Sequence, residues 1–261
     1  MTALADLESR RIRWRRARAA CHLLDVEDSE FARGGLARRL DEVSVRCLVL
    51  PDDPERSLAV TDEELLARLE STAHEWGKAH NVSNLWGYGK SGSAAGAALY
   101  GYDNSRSGPW NQYLCLRADG GLEIGLGSQA VWTQNETKCF FLTAIVARLW
   151  SAFAVHAELL MPQVDGPWEV TLALAGTEGS LLGGLAEGWK QPFGGFNDAT
   201  PCRDSNVLIR VERDDLPSAE DAREFAFTLG GLIENAWGYT IRRFIARTGP
   251  LEGQLDWRAV R

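Results

Sequence analysis

The stretch from Gln112 to Leu126 constrains this chain most. Gln112-Tyr-Leu-Cys-Leu-Arg117 and Leu122-Glu-Ile-Gly-Leu126 are two short alternating runs, and Asp119-Gly120 lies between them. An Asp-Gly turn flanked by such runs specifies a β-hairpin, because glycine accepts the positive φ that a tight hairpin turn demands. Further strands are expected at Val43–Leu50, halted by Pro51-Asp52-Asp53-Pro54, and at about Ala94–Tyr102, Trp168–Ala175 and Asn206–Glu212.

The helical signals fall between and around these runs. Thr61 and Glu64 form a capping box ahead of Leu65, Leu66, Leu69, Ala73 and Trp76, which share one helix face. A long helix is expected over about Glu136–Leu160, stopped by Pro162, with Leu142, Ile145, Leu149, Phe153 and His156 on one stripe. Pro217-Ser218 opens a last helix with Ser218 and Asp221 as a cap, its apolar stripe running from Phe225 to Phe244. Leu4, Leu7, Trp14, Ala17, Cys21 and Leu24 mark an N-terminal helix.

From residue 94 the order is therefore β-β-β-α-β-β-α. It predicts an α+β fold, a mostly antiparallel sheet with helices packed on one face, preceded by a helical N-terminal region. The texture turns to Gly, Ser and aromatic residues over Asn81–Pro109, which divides the chain into a helix-rich region, 1–85, and an α+β sandwich domain, 86–261.

Composition supports a real core: 45% of the 261 residues are hydrophobic and 25% charged. Five cysteines, at 21, 47, 115, 139 and 202, include no C-x-x-C pair, so reduced core thiols are expected and no disulfide framework. The longest apolar stretch, Cys139–Leu160, is broken by Arg148, His156 and Glu158 and reads as a buried helix, not a membrane span. Ala19-Ala20-Cys21 has arginines where a lipoprotein signal needs an apolar run. A cytoplasmic location is the expectation.

The net charge of −8 hides an asymmetry. Arg10, Arg11, Arg13, Arg15, Arg16 and Arg18 lie within nine residues that contain no acid, so the other 252 residues carry −14. A contact with phosphate or an acidic partner would have to be local, through this segment. The plain alternative is a solvated helix face neutralised by Asp25, Glu27, Asp28 and Glu30.

Three motifs come close to catalytic signatures and miss. Gly87-Tyr-Gly-Lys-Ser91 has Asn84 where a phosphate loop needs its first glycine, and an Ala-Gly strand follows in place of a helix. His156-Ala-Glu158 with Cys202 echoes a zinc deaminase, but Ser205 stands where the second thiolate should be. That leaves His156 as a core histidine. Pairing Cys115 or Cys139 with His74 or His80 rests on residue type alone. No metal site and no cofactor is expected.

Binding has the broader signal. Trp86, Tyr88, Lys90, Arg106 and Trp110 cluster in one Gly-rich segment, and Trp189, Lys190 and Phe193 in another. Rings and cations on flexible backbone stack bases or anchor a protein partner, although many such rings simply pack loops.

The hairpin with Asp119-Gly120 and Glu123, the long helix after it, Gly166-Pro167-Trp168-Glu169-Val170 and Asn206-Val207-Leu208-Ile209 together resemble the C-terminal region of bacterial Schlafen-type putative DNA-binding proteins. The resemblance covers residues 110–245 and implies an accessory or sensing module in a regulatory or defence setting. Residues 1–93 hold no counterpart of that family's DNA-binding domain, so no functional residue is carried over.

The sequence thus points to a non-catalytic bacterial cytoplasmic protein that assembles with a protein partner or with itself, as a subunit or regulator of a nucleic-acid-acting or defence complex. Nucleic acid would contact the arginine helix. The alternative is a small-molecule hydrolase or transferase, or a ligand sensor, with its site near Gly87–Ser93.

Overall fold

A computed structural model describes residues 44–51, 62–80, 85–87, 89–93, 96–102, 110–117, 120–127, 130–134, 136–160, 167–183, 200–215 and 217–240. These form a mostly antiparallel sheet with helices packed against it, the expected α+β class. In chain order they are β1 (Val45–Pro51), α1 (Asp62–Ala79), β2 (Gly89–Ser93), β3 (Gly96–Tyr102), β4 (Trp110–Arg117), β5 (Leu122–Leu126), β6 (Val131–Gln134), β7 (Thr137–Phe141), α2 (Leu142–Leu160), β8 (Trp168–Ala175), β9 (Leu181–Gly183), β10 (Asn206–Arg213) and α3 (Asp221–Ala236).

Seven strands make one sheet in the order β10-β8-β1-β5-β4-β3-β2, every neighbouring pair antiparallel. Period-two alternation gives the central strands one apolar face, and the register aligns those faces. Val45, Cys47 and Val49 of β1 lie opposite Leu126, Ile124 and Leu122 of β5 and opposite Leu174, Leu172 and Val170 of β8. All nine are buried in one core with the helices. β1, from the first 85 residues, is thus a central strand of the sheet.

The helices lie side by side over that face. α1 packs on β2, β3 and α2; α2 packs between α1 and α3 and reaches β5; α3 packs on β10. α2 is long and apolar enough to cross a membrane, but it is buried along nearly its whole length within the fold. Phe153 of α2 meets Phe225 of α3 at 5.1 Å. The Ser218–Asp221 cap forms as expected: the Asp221 amide donates to Ser218 Oγ at 3.1 Å, and Ser218 Oγ donates to Asp221 Oδ2 at 2.7 Å.

The opposite face of the sheet is buried at its centre and mixes polar side chains with an apolar patch of Leu48 and Leu50. Arg46, Tyr113, Cys115, Glu123 and Thr171 point there. The Asp119-Gly120 hairpin forms as β4–β5, and His156 Nε2 donates to Gly120 O over 2.8 Å, so this histidine ties α2 to the hairpin turn. It is a core histidine, as its place on the apolar stripe suggested.

Several local expectations are corrected. The long helix starts at Leu142, not Glu136, because Thr137-Lys-Cys-Phe-Phe141 forms β7, where β-branched and aromatic residues pack well on a pleated surface. β7 joins β6 antiparallel and β9 parallel in a second, three-stranded sheet. β9 lies inside the Gly-rich stretch 176–205, where the sequence showed only a connection. Gly89–Ser93 is a strand, not a loop, paired with β3. The last helix ends at Ala236 and not beyond Thr240, because Gly238 takes φ +83°, the left-handed turn that closes many helices. The N-terminal helix lies outside the described residues.

Candidate functional site

A cavity of about 170 Å³ opens where α1 crosses the edge of the sheet. Helical spacing brings Glu70, Ala73 and His74 of α1 onto one wall, since residues three and four apart share a face. Leu85, Trp86 and Gly87 of the following turn, Gly89 and Lys90 of β2, and Leu99 of β3 complete it. Ligand pockets for drug-sized molecules run from roughly 300 to 1,000 Å³, so this cleft suits a small molecule or one end of a larger one.

The backbone there admits only glycine. Gly87 has φ +91°, and a Cβ at this position would collide with the Tyr100 carbonyl. Gly89 lies directly opposite Tyr100, whose ring lies over the glycine and fills the space a side chain would need. The same device recurs where the Tyr113 ring covers Gly125.

Charge lines the mouth. Lys90 Nζ binds both Glu70 oxygens, at 3.0 and 2.8 Å, with the two side chains 52% and 49% exposed. Half-exposed, the pair is readily rearranged, so Lys90 can exchange Glu70 for an anionic ligand at small cost. His74 lies one helical turn from Glu70 on the same wall.

Trp86 is the inner wall. Its indole Nε1 donates to Ser151 Oγ of α2 at 3.3 Å, and the guanidinium of Arg148, one turn earlier on α2, lies 5.7 Å from its ring. Arg148 is 3% exposed, and burial pushes its pKa down to about 9. Its Nε and Nη1 have no hydrogen-bond partner, and neither has the buried Oε1 of Gln112.

Of the residues singled out from the sequence, Trp86 and Lys90 come together in this cleft. Tyr88, Arg106, Trp189, Lys190, Phe193 and the arginines at 10, 11, 13, 15, 16 and 18 lie outside the described residues, as does the side chain of Trp110. Glu70 of α1 was missed as a site residue, and His74 was considered only as a partner for a cysteine. Only the i, i+4 spacing of Glu70 and His74 could have flagged them.

The thiols have been placed elsewhere. Cys47, Cys115, Cys139 and Cys202 are free and buried. Desolvation pushes Cys139 up to about 11 and Cys47 higher still, so both stay protonated at neutral pH. Cys115 faces the far side of the sheet from His74, which removes the Cys115–His74 pairing. Cys202 Sγ lies 3.7 Å from Asp204 O and 3.9 Å from Ala236 O, and His156 is engaged with Gly120. Among the described residues no group of three or more His, Cys, Asp or Glu side chains is placed to hold a metal ion.

Comparison with protein-family models, curated proteins and solved structures gives no match to this chain.

Proposed function

We propose that this chain is a non-catalytic binding protein whose α1–β2 cleft takes a small molecule, and that it serves as a ligand-responsive subunit of a larger bacterial cytoplasmic assembly. The observation that carries the reading is the cavity itself, at the Gly87–Lys90 segment, with a lysine at its mouth and a tryptophan as its inner wall. Protonated, buried thiols favour binding over covalent chemistry.

The partner is a protein or a second copy of the chain, with the arginines at 10–18 contacting acidic groups or nucleic acid. Charge reversal at Arg13 and Arg16 should then weaken partner binding, and so should added salt. The exposed Trp132 on β6, 41% accessible, offers a second contact of the type enriched at interfaces.

A second reading, a small-molecule enzyme, draws on His74 and Glu70 standing one turn apart on the cleft wall. One experiment separates the two. Small metabolites are screened by their effect on the melting temperature of the wild type and of Ala73→Phe, which fills the cleft. A compound that stabilises only the wild type and is recovered unchanged after incubation supports binding. A compound that is converted supports the enzyme.

A further inference from the structure

Arg148 stands in the first half of α2, 3% exposed, and its buried Nε and Nη1 have no hydrogen-bond partner. Buried charges in proteins are paired or hold a ligand, because removing an ion from water costs far more than the contact between a cation and one aromatic ring returns. The Trp86 ring is that contact. Arg46, the other buried arginine whose Nε and Nη1 have no hydrogen-bond partner, is in a different position. It lies opposite Gly125 on the same sheet face as Glu123, two residues along β5, so a carboxylate offsets its charge nearby.

A second orphan lies on the same side of the sheet as Arg148. Gln112 is 5% exposed and its Oε1 has no partner. It stands opposite Gly101, whose backbone packs against Gly87, next to Trp86. Neither Arg148 nor Gln112 lines the cleft itself; Trp86, against which the Arg148 guanidinium lies, is the wall between, so a ligand reaches them only by displacing its ring.

We propose that the ligand of the α1–β2 cleft carries an anionic group, a carboxylate or a phosphoryl group, that passes Trp86 and pairs with Arg148, while a ligand N–H or O–H meets Gln112 Oε1. This rests on the cleft reading above. Lys90 at the mouth attracts the anion and Arg148 holds it in a water-poor site, where a charge-assisted bond is strongest. Burial lowers the pKa of Arg148 only to about 9, so it remains a cation at neutral pH.

The test uses benzoate and inorganic phosphate as probes, with uncharged benzamide as control, all at constant ionic strength. Melting temperatures are read for the wild type, Arg148→Met and Ala73→Phe. Benzoate or phosphate is expected to raise the wild-type melting temperature, and whichever acts identifies the anion as carboxylate or phosphate. R148M should melt higher than the wild type without anion, because an apolar side chain replaces an uncompensated buried charge. It should bind the active anion at least about tenfold more weakly. An anion response unchanged in R148M overturns the assignment while leaving the cleft reading intact. A response that survives A73F overturns both. Should R148M not fold, the wild type decides alone: its shielded Arg148 Nε–H NMR signal, assigned by contacts to the Trp86 ring, shifts on adding the active anion. A signal unmoved by both anions overturns the proposal.

Discussion

The hydroxyl of Tyr113 donates to Glu123 Oε1 over 2.7 Å, between neighbouring strands and on the sheet face turned away from the helices. Both residues are buried. Burial first, and the Glu123 charge second, raise the Tyr113 pKa well above its ordinary value of 10.0. The ring reaches the carboxylate because Gly125, opposite Tyr113, has no side chain to block it. Tyr113→Phe should therefore cost about 1.5–3 kcal/mol, the range for a lost bond to a charged group. Gly125→Ala should cost more, since its Cβ would occupy the space of the ring. Urea unfolding of both variants checks the order.

Alkaline pH should destabilise the fold. Tyr113, Cys47 and Cys139 all have raised folded-state pKa values, so their stabilisation is complete below the unfolded values, 9.0 for the thiols and 10.0 for the phenol. It is lost as pH rises through the folded values, about 11 for Cys139. Arg148 and Lys138 act the other way, because burial lowers both pKa values, that of Arg148 from 12.5 to about 9, and stability rises with pH through the lowered range. The three raised groups outweigh these two, Lys138 being only partly buried, so the urea midpoint should fall above pH 9, and more steeply in R148M than in the wild type. A midpoint that is flat from pH 8 to about 11 would count against these shifts.

The helix layer should depend on the junction of α2 and α3. Phe153 is 2% exposed and its ring lies 5.1 Å from that of Phe225. Truncating a buried phenylalanine removes its transfer energy and leaves a cavity, so Phe153→Ala should cost about 3–5 kcal/mol. Denaturant unfolding at unchanged slope measures it.

Lys90→Ala separates stability from binding. The Lys90–Glu70 pair is about half exposed, and such pairs contribute roughly 0–1 kcal/mol. The variant should unfold within about 1 kcal/mol of the wild type, yet bind the cleft ligand more weakly. Titration calorimetry beside urea unfolding shows whether the two effects part.

The fold class was legible because period-two runs and the Asp119-Gly120 turn are local signals that tertiary packing then honoured in β1, β4, β5, β8 and β10. The failures share a cause. Gly89–Ser93 has almost no strand propensity of its own and becomes a strand by pairing with β3, with the Tyr100 ring supplying the bulk that Gly89 lacks. Thr137–Phe141 joins the helix pattern seamlessly in sequence, and only its pairing with β6 and β9 makes it a strand. The site was legible at Trp86 and Lys90, where a ring and a cation stand in Gly-rich sequence. Arg148 gave no such signal, since an arginine inside a helical run reads as a break in hydrophobicity until burial shows that it is unpaired.

Ligand binding in the α1–β2 cleft is tested most directly by an NMR titration of the Trp86 indole N–H, which is hydrogen-bonded to Ser151 at the inner wall of the cleft. Small carboxylates and phosphates are added in turn to the wild type and to A73F. If the cleft binds its ligand without turnover, at least one compound moves this signal saturably in the wild type, leaves it unmoved in A73F, and is itself unchanged at the end. A Trp86 signal that no compound moves, or that moves equally in A73F, would contradict that binding.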